Sequence, residues 1–173
     1  MYNWGNIYVI NAIDVYSKLA VIYAYKSASS KNAKDFLENK VLSFFWKSSD
    51  IKINFIQTDN WSEFCKYFDK ACSDLKIKHV WTYPKSPKMN SFIEKYNWTI
   101  QIEFLEKVDA IKNIDLVNDK IKKYLIEYNS FRPHQALNYL TPMDVYIQYL
   151  TSNINPSFLN QKLHHMLWTS ANL

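Results

Sequence analysis

The stretch Ile53-Asn54-Phe55-Ile56-Gln57-Thr58-Asp59-Asn60-Trp61-Ser62-Glu63-Phe64 decides the fold. It is an apolar run that ends on an acid, which reads as a strand central to a sheet. Asp59 then emerges at the sheet's carboxyl edge, where α/β sheets keep their sites. A second stretch, Ser86-Pro87-Lys88-Met89-Asn90-Ser91-Phe92-Ile93-Glu94-Lys95-Tyr96-Asn97, leads through a proline-punctuated loop into a helix. Its Glu94 lies 35 positions beyond Asp59. An acid at a strand end and an acid on a helix can meet at one point, hold divalent cations and support displacement at phosphorus. Each acid also has a plainer reading. Asp59 or Ser62 can serve as the N-cap of the next helix, and Glu94 can be a surface glutamate favoured by the helix dipole.

Working outward, Ile7 to Asp14 and Leu19 to Tyr25 are β-branched and aromatic runs joined by Val15-Tyr16-Ser17-Lys18, which predicts an antiparallel pair. Ser29 or Ser30 caps a helix whose Ala33, Phe36, Leu37, Val41 and Phe44 share a face. Lys52 to Thr58 and Lys78 to Thr82 are predicted strands, with a helix from Ser62 to Leu75 between them. Further helices are expected from Ser91 to about Lys107, with Phe92, Tyr96, Ile100 and Phe104 inward, from Ile114 to Asn129, and from Thr141-Pro142 onward. Residues 151–173 carry no clear period and stay unassigned. The order of strands and helices predicts one α/β layered domain over residues 1–150.

Composition bounds the function classes. With 48% hydrophobic residues, 13 Tyr and 10 Phe, the 173-residue chain has enough apolar side chains for a core. The net charge of +5 suits a polyanion such as DNA, although many solvated domains are as basic. Cys65 and Cys72 are the two cysteines, with no Cys-x-x-Cys or His/Cys set beside them, so buried free thiols are expected rather than zinc. The absence of a long apolar run or signal peptide predicts a cytoplasmic protein with no membrane partner.

Four blocks carry a resemblance. Thr58-Asp59-Asn60-x-Ser62-Glu63-Phe64 resembles the second-carboxylate motif of DDE integrase and transposase catalytic cores, and Ser86-Pro87-Lys88-x-Asn90 through Glu94-Lys95-Tyr96-Asn97 is similar to the third. Asn129-x-x-Arg132-Pro133-His134-Gln135-Ala136-Leu137, with Thr141-Pro142 after it, resembles the block that closes this core in bacterial insertion-sequence transposases. Ala12-Ile13-Asp14-x-Tyr16-Ser17-Lys18 resembles its second and third strands. The resemblance implies an RNase H-like α/β fold, a mixed sheet flanked by helices. It implies a DNA-integrating, transposing core that uses two divalent metals, Mg²⁺ or Mn²⁺, held by Asp59 and Glu94 as catalytic ligands. Lys85, Lys88, Asn90 and Lys95, together with Arg132 and His134, would meet the DNA of element ends and target. A homo-oligomer is compatible with it. His79 and His134 are expected to be structural or near DNA rather than catalytic.

The chain also departs from that family. Three acids are expected, and the first sits on a strand upstream of the one ending in Asp14. Asp14 is not expected to replace it, so the core reads as incomplete, with its first strand missing and either an unfilled gap or the Lys52–Thr58 strand beside Ile7–Asp14. Another reading is a noncatalytic DNA-binding remnant or regulator; a third is a different RNase H-like nuclease. Trp61 stands where the family's turn has glycine, as do Ser91 and Asn138 at positions often glycine, and the whole chain holds one Gly against six Trp. A glycine there implies positive φ, hence strain or outward displacement for Trp61. Glycine codons read as tryptophan, or drift in a decaying element, would each account for the substitution.

Overall fold

The structure, a computed structural model, describes residues 7–46, 53–81, 96, 98–105, 113–151 and 165–172. Strand β1 (Tyr8–Asp14) pairs antiparallel with β2 (Ala20–Tyr25), Tyr8 opposite Tyr25 and Ile13 opposite Ala20. The turn between them is closed from within. The Asp14 carboxylate accepts from the Ser17 amide at 2.7 Å and the Ser17 hydroxyl at 2.6 Å, and Lys18 takes the left-handed conformation with φ 61°. Short polar side chains that fold back on their own backbone favour such turns.

Helices α1 (Ser30–Asp35) and α2 (Leu42–Trp46) are joined by a π-helical stretch, Phe36–Val41. Ser29 is the N-cap and its hydroxyl accepts from the Asn32 amide. The predicted apolar face is buried at Ala33, Phe36, Leu37 and Val41, while Phe44 is exposed. Strand β3 (Phe55–Thr58) runs parallel to β4 (Lys78–Trp81). Between them the predicted single helix is broken in two. Ser62–Phe64 forms a 3₁₀ turn, and α3 (Tyr67–Asp74) begins only after Cys65 and Lys66, the latter at φ 48°. The break lets Phe64 and Phe68 meet edge to face at 5.3 Å, both fully buried, and leaves Tyr67 exposed.

The sheet order is β2-β1-β5-β3-β4, and β5 is His165–Asn172. It lies antiparallel to β1, from Tyr8 opposite Asn172 to Asp14 opposite Met166, and parallel to β3, from Phe55 beside His165 to Thr58 beside Trp168. The gap, or direct β1–β3 contact, expected from the sequence is therefore absent. The unassigned C-terminal stretch supplies a central strand, so the inner edges of β1 and β3 are paired. That pairing has a physical cause, since each buried unpaired backbone group would cost roughly 1–3 kcal/mol.

Two clusters flank the sheet. On one side Ile10, Ala12 and Ile56 pack with Phe36, Leu37, Phe64 and Phe68. On the other, Val9, Ile13 and Ile22 pack with Tyr96, Ile100 and Phe104 and with Val117, Ile121 and Tyr128 of α4 (Ile114–Ser130). Tyr96, Ile100 and Phe104 point inward as expected; Phe92 lies outside the described residues. Two asparagines fasten α4 to β2. The Asn129 amide exchanges two hydrogen bonds of 2.9 Å with the Ala20 backbone, and Asn118 does the same with Ala24 at 2.9 and 3.1 Å. Helix α5 (Pro142–Thr151) comes next, opened by a reciprocal cap in which Thr141 and Asp144 bond each other's amides.

Candidate cation site at the end of the central strands

Asp59 comes directly after β3 and sits where the central parallel strands end. Its environment is unusual for a carboxylate. One oxygen, Oδ1, is buried and has no hydrogen-bond partner. Burial, and secondarily the nearby Glu63 carboxylate, push its pKa up to about 7, against the opposing pull of backbone hydrogen bonds from Trp61 and Asp59 itself. The plain reading of Asp59 as a helix cap is not what the structure shows. The 3₁₀ turn has Trp61 as its N-cap residue without a side-chain bond, and Lys66 is the N-cap residue of α3. An acid held partly buried beside another acid, with a spare oxygen, fits a divalent cation, whose charge would offset both.

The strand end is held by a relay of polar groups. Thr58 Oγ1 meets His79 Nε2 at 2.8 Å, and His79 Nδ1 meets Asp69 Oδ1 at 2.8 Å. The imidazole is also wedged between Phe68 and Trp81, with ring centroids 5.1 and 4.5 Å away. His79 therefore fixes the residue next to Asp59, a structural duty in line with its expected role. Glu63, only 4% exposed, is the site residue that sequence reasoning passed over. Its signal was an acid four positions after Asp59, within the same block of sequence.

Trp61 takes φ −80° and ψ 145°, an extended conformation open to any residue, with 54% of its surface exposed. The outward displacement expected from the sequence is present, but the expected positive φ is not. Asn138, by contrast, is left-handed at φ 54°, a conformation that glycine and asparagine tolerate best.

Glu94, Lys85, Lys88, Asn90 and Lys95 lie outside the described residues. Arg132 and His134 are brought together, but in a separate cavity beside Asp14. They line this space of about 440 Å³ with Asp14, Lys18, Tyr96 and Tyr128, and Asp59 is not among its walls. Arg132 is clamped by both oxygens of Glu103, and Lys18 Nζ donates to the Val15 carbonyl at 2.7 Å. Burial holds the His134 imidazole below its ordinary pKa, with Arg132 adding to the effect, and its ring stacks edge-on against Tyr128 at 4.7 Å. Among the described residues no three His, Cys, Asp or Glu side chains cluster as a metal site.

A five-stranded mixed sheet of this order, covered by helices on both faces and carrying an acid at the end of a central strand, defines an RNase H-like domain. Two descriptions of the integrase core domain match the chain, over residues 1–87 and 75–142. The first covers half of it, and the chain belongs to the integrase core family. It is 34% identical over 152 residues to a protein described as an integrase, ORF3, of Spiroplasma virus SpV1-C74, an overlap covering 79% of this chain and 41% of the viral protein. It is 27% identical over 101 residues to the 39.2 kDa protein of insertion element IS476 from Xanthomonas euvesicatoria, covering 58% of this chain and 29% of that one. The chain thus spans less than half the length of either relative. Among solved structures, the catalytic core of BIV integrase superposes with a TM-score of 0.64 at 14% identity, over 85% of this chain and 90% of that one. The HTLV-2 integrase catalytic core in complex with magnesium, in its dimeric form, gives 0.58 at 20% identity, over 80% and 84%.

Proposed function

We propose that this domain serves DNA integration and transposition, with a divalent-cation site built on Asp59 and Glu94. The observation that carries the reading is the buried, unpartnered Oδ1 of Asp59 with the Glu63 carboxylate nearby, at the end of the central strands. A bound Mg²⁺ or Mn²⁺ would supply an activated water or DNA 3′-hydroxyl and charge for the leaving oxygen. The chain's own residues do the rest. Asp59 and Glu94 would hold the cation, and the Asp69–His79–Thr58 relay keeps β3 from shifting. Lys85, Lys88, Asn90 and Lys95 meet phosphates near the acids, and Arg132 and His134 meet DNA from the cavity beside Asp14. The protein works in the cytoplasm, and it works on DNA as a homo-oligomer, in keeping with the dimeric form of the HTLV-2 core. Among the described residues no helix is long and apolar enough to cross a membrane.

A noncatalytic DNA-binding role is the second reading, and one observation favours it: β5, next to Asp59, contains no Asp or Glu. Titrating the chain with labelled duplex DNA and Mn²⁺ separates the two. Salt-sensitive DNA binding with Asp59-dependent Mn²⁺ binding is expected. Cleavage lost in Asp59→Asn would establish catalysis, and DNA binding without Mn²⁺ binding would leave only the noncatalytic role. A chain that binds neither would sink both.

A further inference from the structure

Three separated blocks of the sequence converge on the cavity beside Asp14. Asp14 and Lys18 come from the first hairpin, Tyr96 from the block around the third-carboxylate motif, and Arg132, His134 and Ala136 from the closing block. Its volume of about 440 Å³ lies within the roughly 300–1,000 Å³ of sites that take up small organic molecules. Two lining residues carry polar atoms that the fold leaves unused. Asp14 is 1% exposed and gives Oδ2 to Ser17, while its Oδ1 is buried and makes no hydrogen bond. The hydroxyl of Tyr96, itself a buried residue, has no partner either. Unsatisfied buried polar atoms are uncommon, and two in one cavity wall point to a guest that completes them.

The charges decide what kind of guest. Lys18 stands against Asp14, and both oxygens of Glu103 hold Arg132, so the cavity is close to neutral as a whole. A bare phosphate would gain little attraction there. Burial keeps the His134 imidazole below its ordinary pKa, so near neutral pH it offers one donor and one acceptor in place of a charge. Tyr128 stands edge-on to both Tyr96 and His134, at 5.5 and 4.7 Å, and supplies an aromatic wall. A planar, uncharged guest with an N–H for a carboxylate and an acceptor for a hydroxyl has the chemistry of a nucleobase, and aromatic side chains are its usual platform. We infer that this cavity receives a single unpaired nucleobase, whose amino group donates to Asp14 and whose ring packs against Tyr128. Neither unpartnered atom meets solvent, so the base engages them as the Asp14 or Tyr96 side chain rotates towards it. Cytosine, adenine and guanine carry an amino group, whereas thymine presents a ring N–H flanked by two carbonyls that a carboxylate repels. This base capture rests on the reading of the chain as one that acts on DNA, and it names what Arg132 and His134 surround.

The experiment uses the full chain and a short duplex ending in one unpaired 2-aminopurine, a fluorescent base with an amino group whose emission falls on stacking. Quenching is expected, and a fully paired duplex should compete at least about tenfold more weakly than the unlabelled overhang. Tyr96→Phe, which removes only an unpartnered hydroxyl, should weaken binding severalfold without lowering the urea midpoint. Ala136→Trp, which adds bulk at the exposed rim, should weaken it by about tenfold, and Ser73→Trp on the exposed side of α3 should leave it unchanged. Asp14→Asn, with its carbonyl on Ser17 and its amide towards the cavity, should shift preference towards a thymine overhang. Displacement by free deoxycytidine or deoxyadenosine upholds the site and makes a free nucleoside a second source of the base; no displacement upholds it for DNA alone. Unchanged quenching in both Tyr96→Phe and Ala136→Trp, or equal competition by the paired duplex, overturns the inference. Cavity-dependent base binding without Asp59-dependent Mn²⁺ binding leaves the inference standing and removes the cation site, and intact Mn²⁺ and duplex binding with no preference for the overhang does the reverse.

Discussion

Asp14 and Asp59 are two aspartates held within one sheet, each with a buried Oδ1 that makes no hydrogen bond, and they differ in what surrounds the rest of the carboxylate. Asp14, 1% exposed, ends β1 and spends one oxygen on the Ser17 amide and hydroxyl, so its charge stitches a turn. Asp59 comes just past the end of β3, has only backbone hydrogen bonds from Trp61 and itself, and lies near the Glu63 carboxylate, so burial and a second acid outweigh its donors. The difference lies in the four residues after each acid. Val15-Tyr16-Ser17-Lys18 brings the amide and the hydroxyl of Ser17 to Asp14, whereas Asn60-Trp61-Ser62-Glu63 brings Asp59 a backbone donor at Trp61 and a second acid at Glu63. An aspartate at a strand end is thus committed to its own turn, as Asp14 is, or left available for the functional role proposed for Asp59, according to the next four positions.

The largest expected effect tests the structural half. Asp14→Ala removes both charge-assisted bonds to Ser17 and should destabilise the chain by about 3 kcal/mol, read as a lower urea midpoint. A loss below a few tenths would mean that the turn holds without its carboxylate. The functional half predicts the opposite sign. Asp59→Asn should raise stability at pH 8 by about 2 kcal/mol, roughly half of what the full shift would give, because the carboxylate is partly open to solvent. Mg²⁺ should raise the melting temperature of the parent and leave the variant unmoved.

The pH dependence sharpens the contrast. The Asp59 pKa rises from 3.8 unfolded to about 7 folded, so between those values the folded chain holds a proton that the unfolded chain has released. Asp59 therefore makes stability fall as pH rises from about 4 to 7, with the penalty complete above 7. The gain in Asp59→Asn should appear only as pH climbs through that window; a gain of equal size at pH 4 would assign it to packing instead. The smallest effect concerns the exposed neighbour. Trp61 has ordinary extended φ, so Trp61→Gly should lower stability by up to about 0.5 kcal/mol rather than raise it. A gain would show that the indole is strained after all.

The sequence made the antiparallel pair, β3, β4 and the α4 and α5 helices legible, because each has a regular period or a capping pair such as Thr141 and Asp144. Asp59 was legible as an acid on an apolar run. The place of β5 was not. His165–Asn172 carries no alternation strong enough to mark a strand, and its identity comes from the two edges that receive it rather than from its own residues. The break at Cys65–Lys66 was hidden too, since Phe64, Phe68 and Cys72 keep helical spacing across it. Asn129 was read only as part of a closing motif, and its duty of bonding Ala20 depends on a strand more than a hundred positions away.

The asparagine clamps on β2 carry a consequence for how copies of this chain behave at high concentration. β2 is an outer strand of the sheet, and the outward amides and carbonyls of such a strand are where foreign strands add and fibres begin. Here the groups of Ala20 and Ala24 are already engaged by Asn129 and Asn118, two carboxamides that imitate a neighbouring strand without offering an edge of their own. Polymerisation through this side would first have to evict both asparagines and lift α4 from the sheet, so the helix acts as a stopper against runaway strand addition.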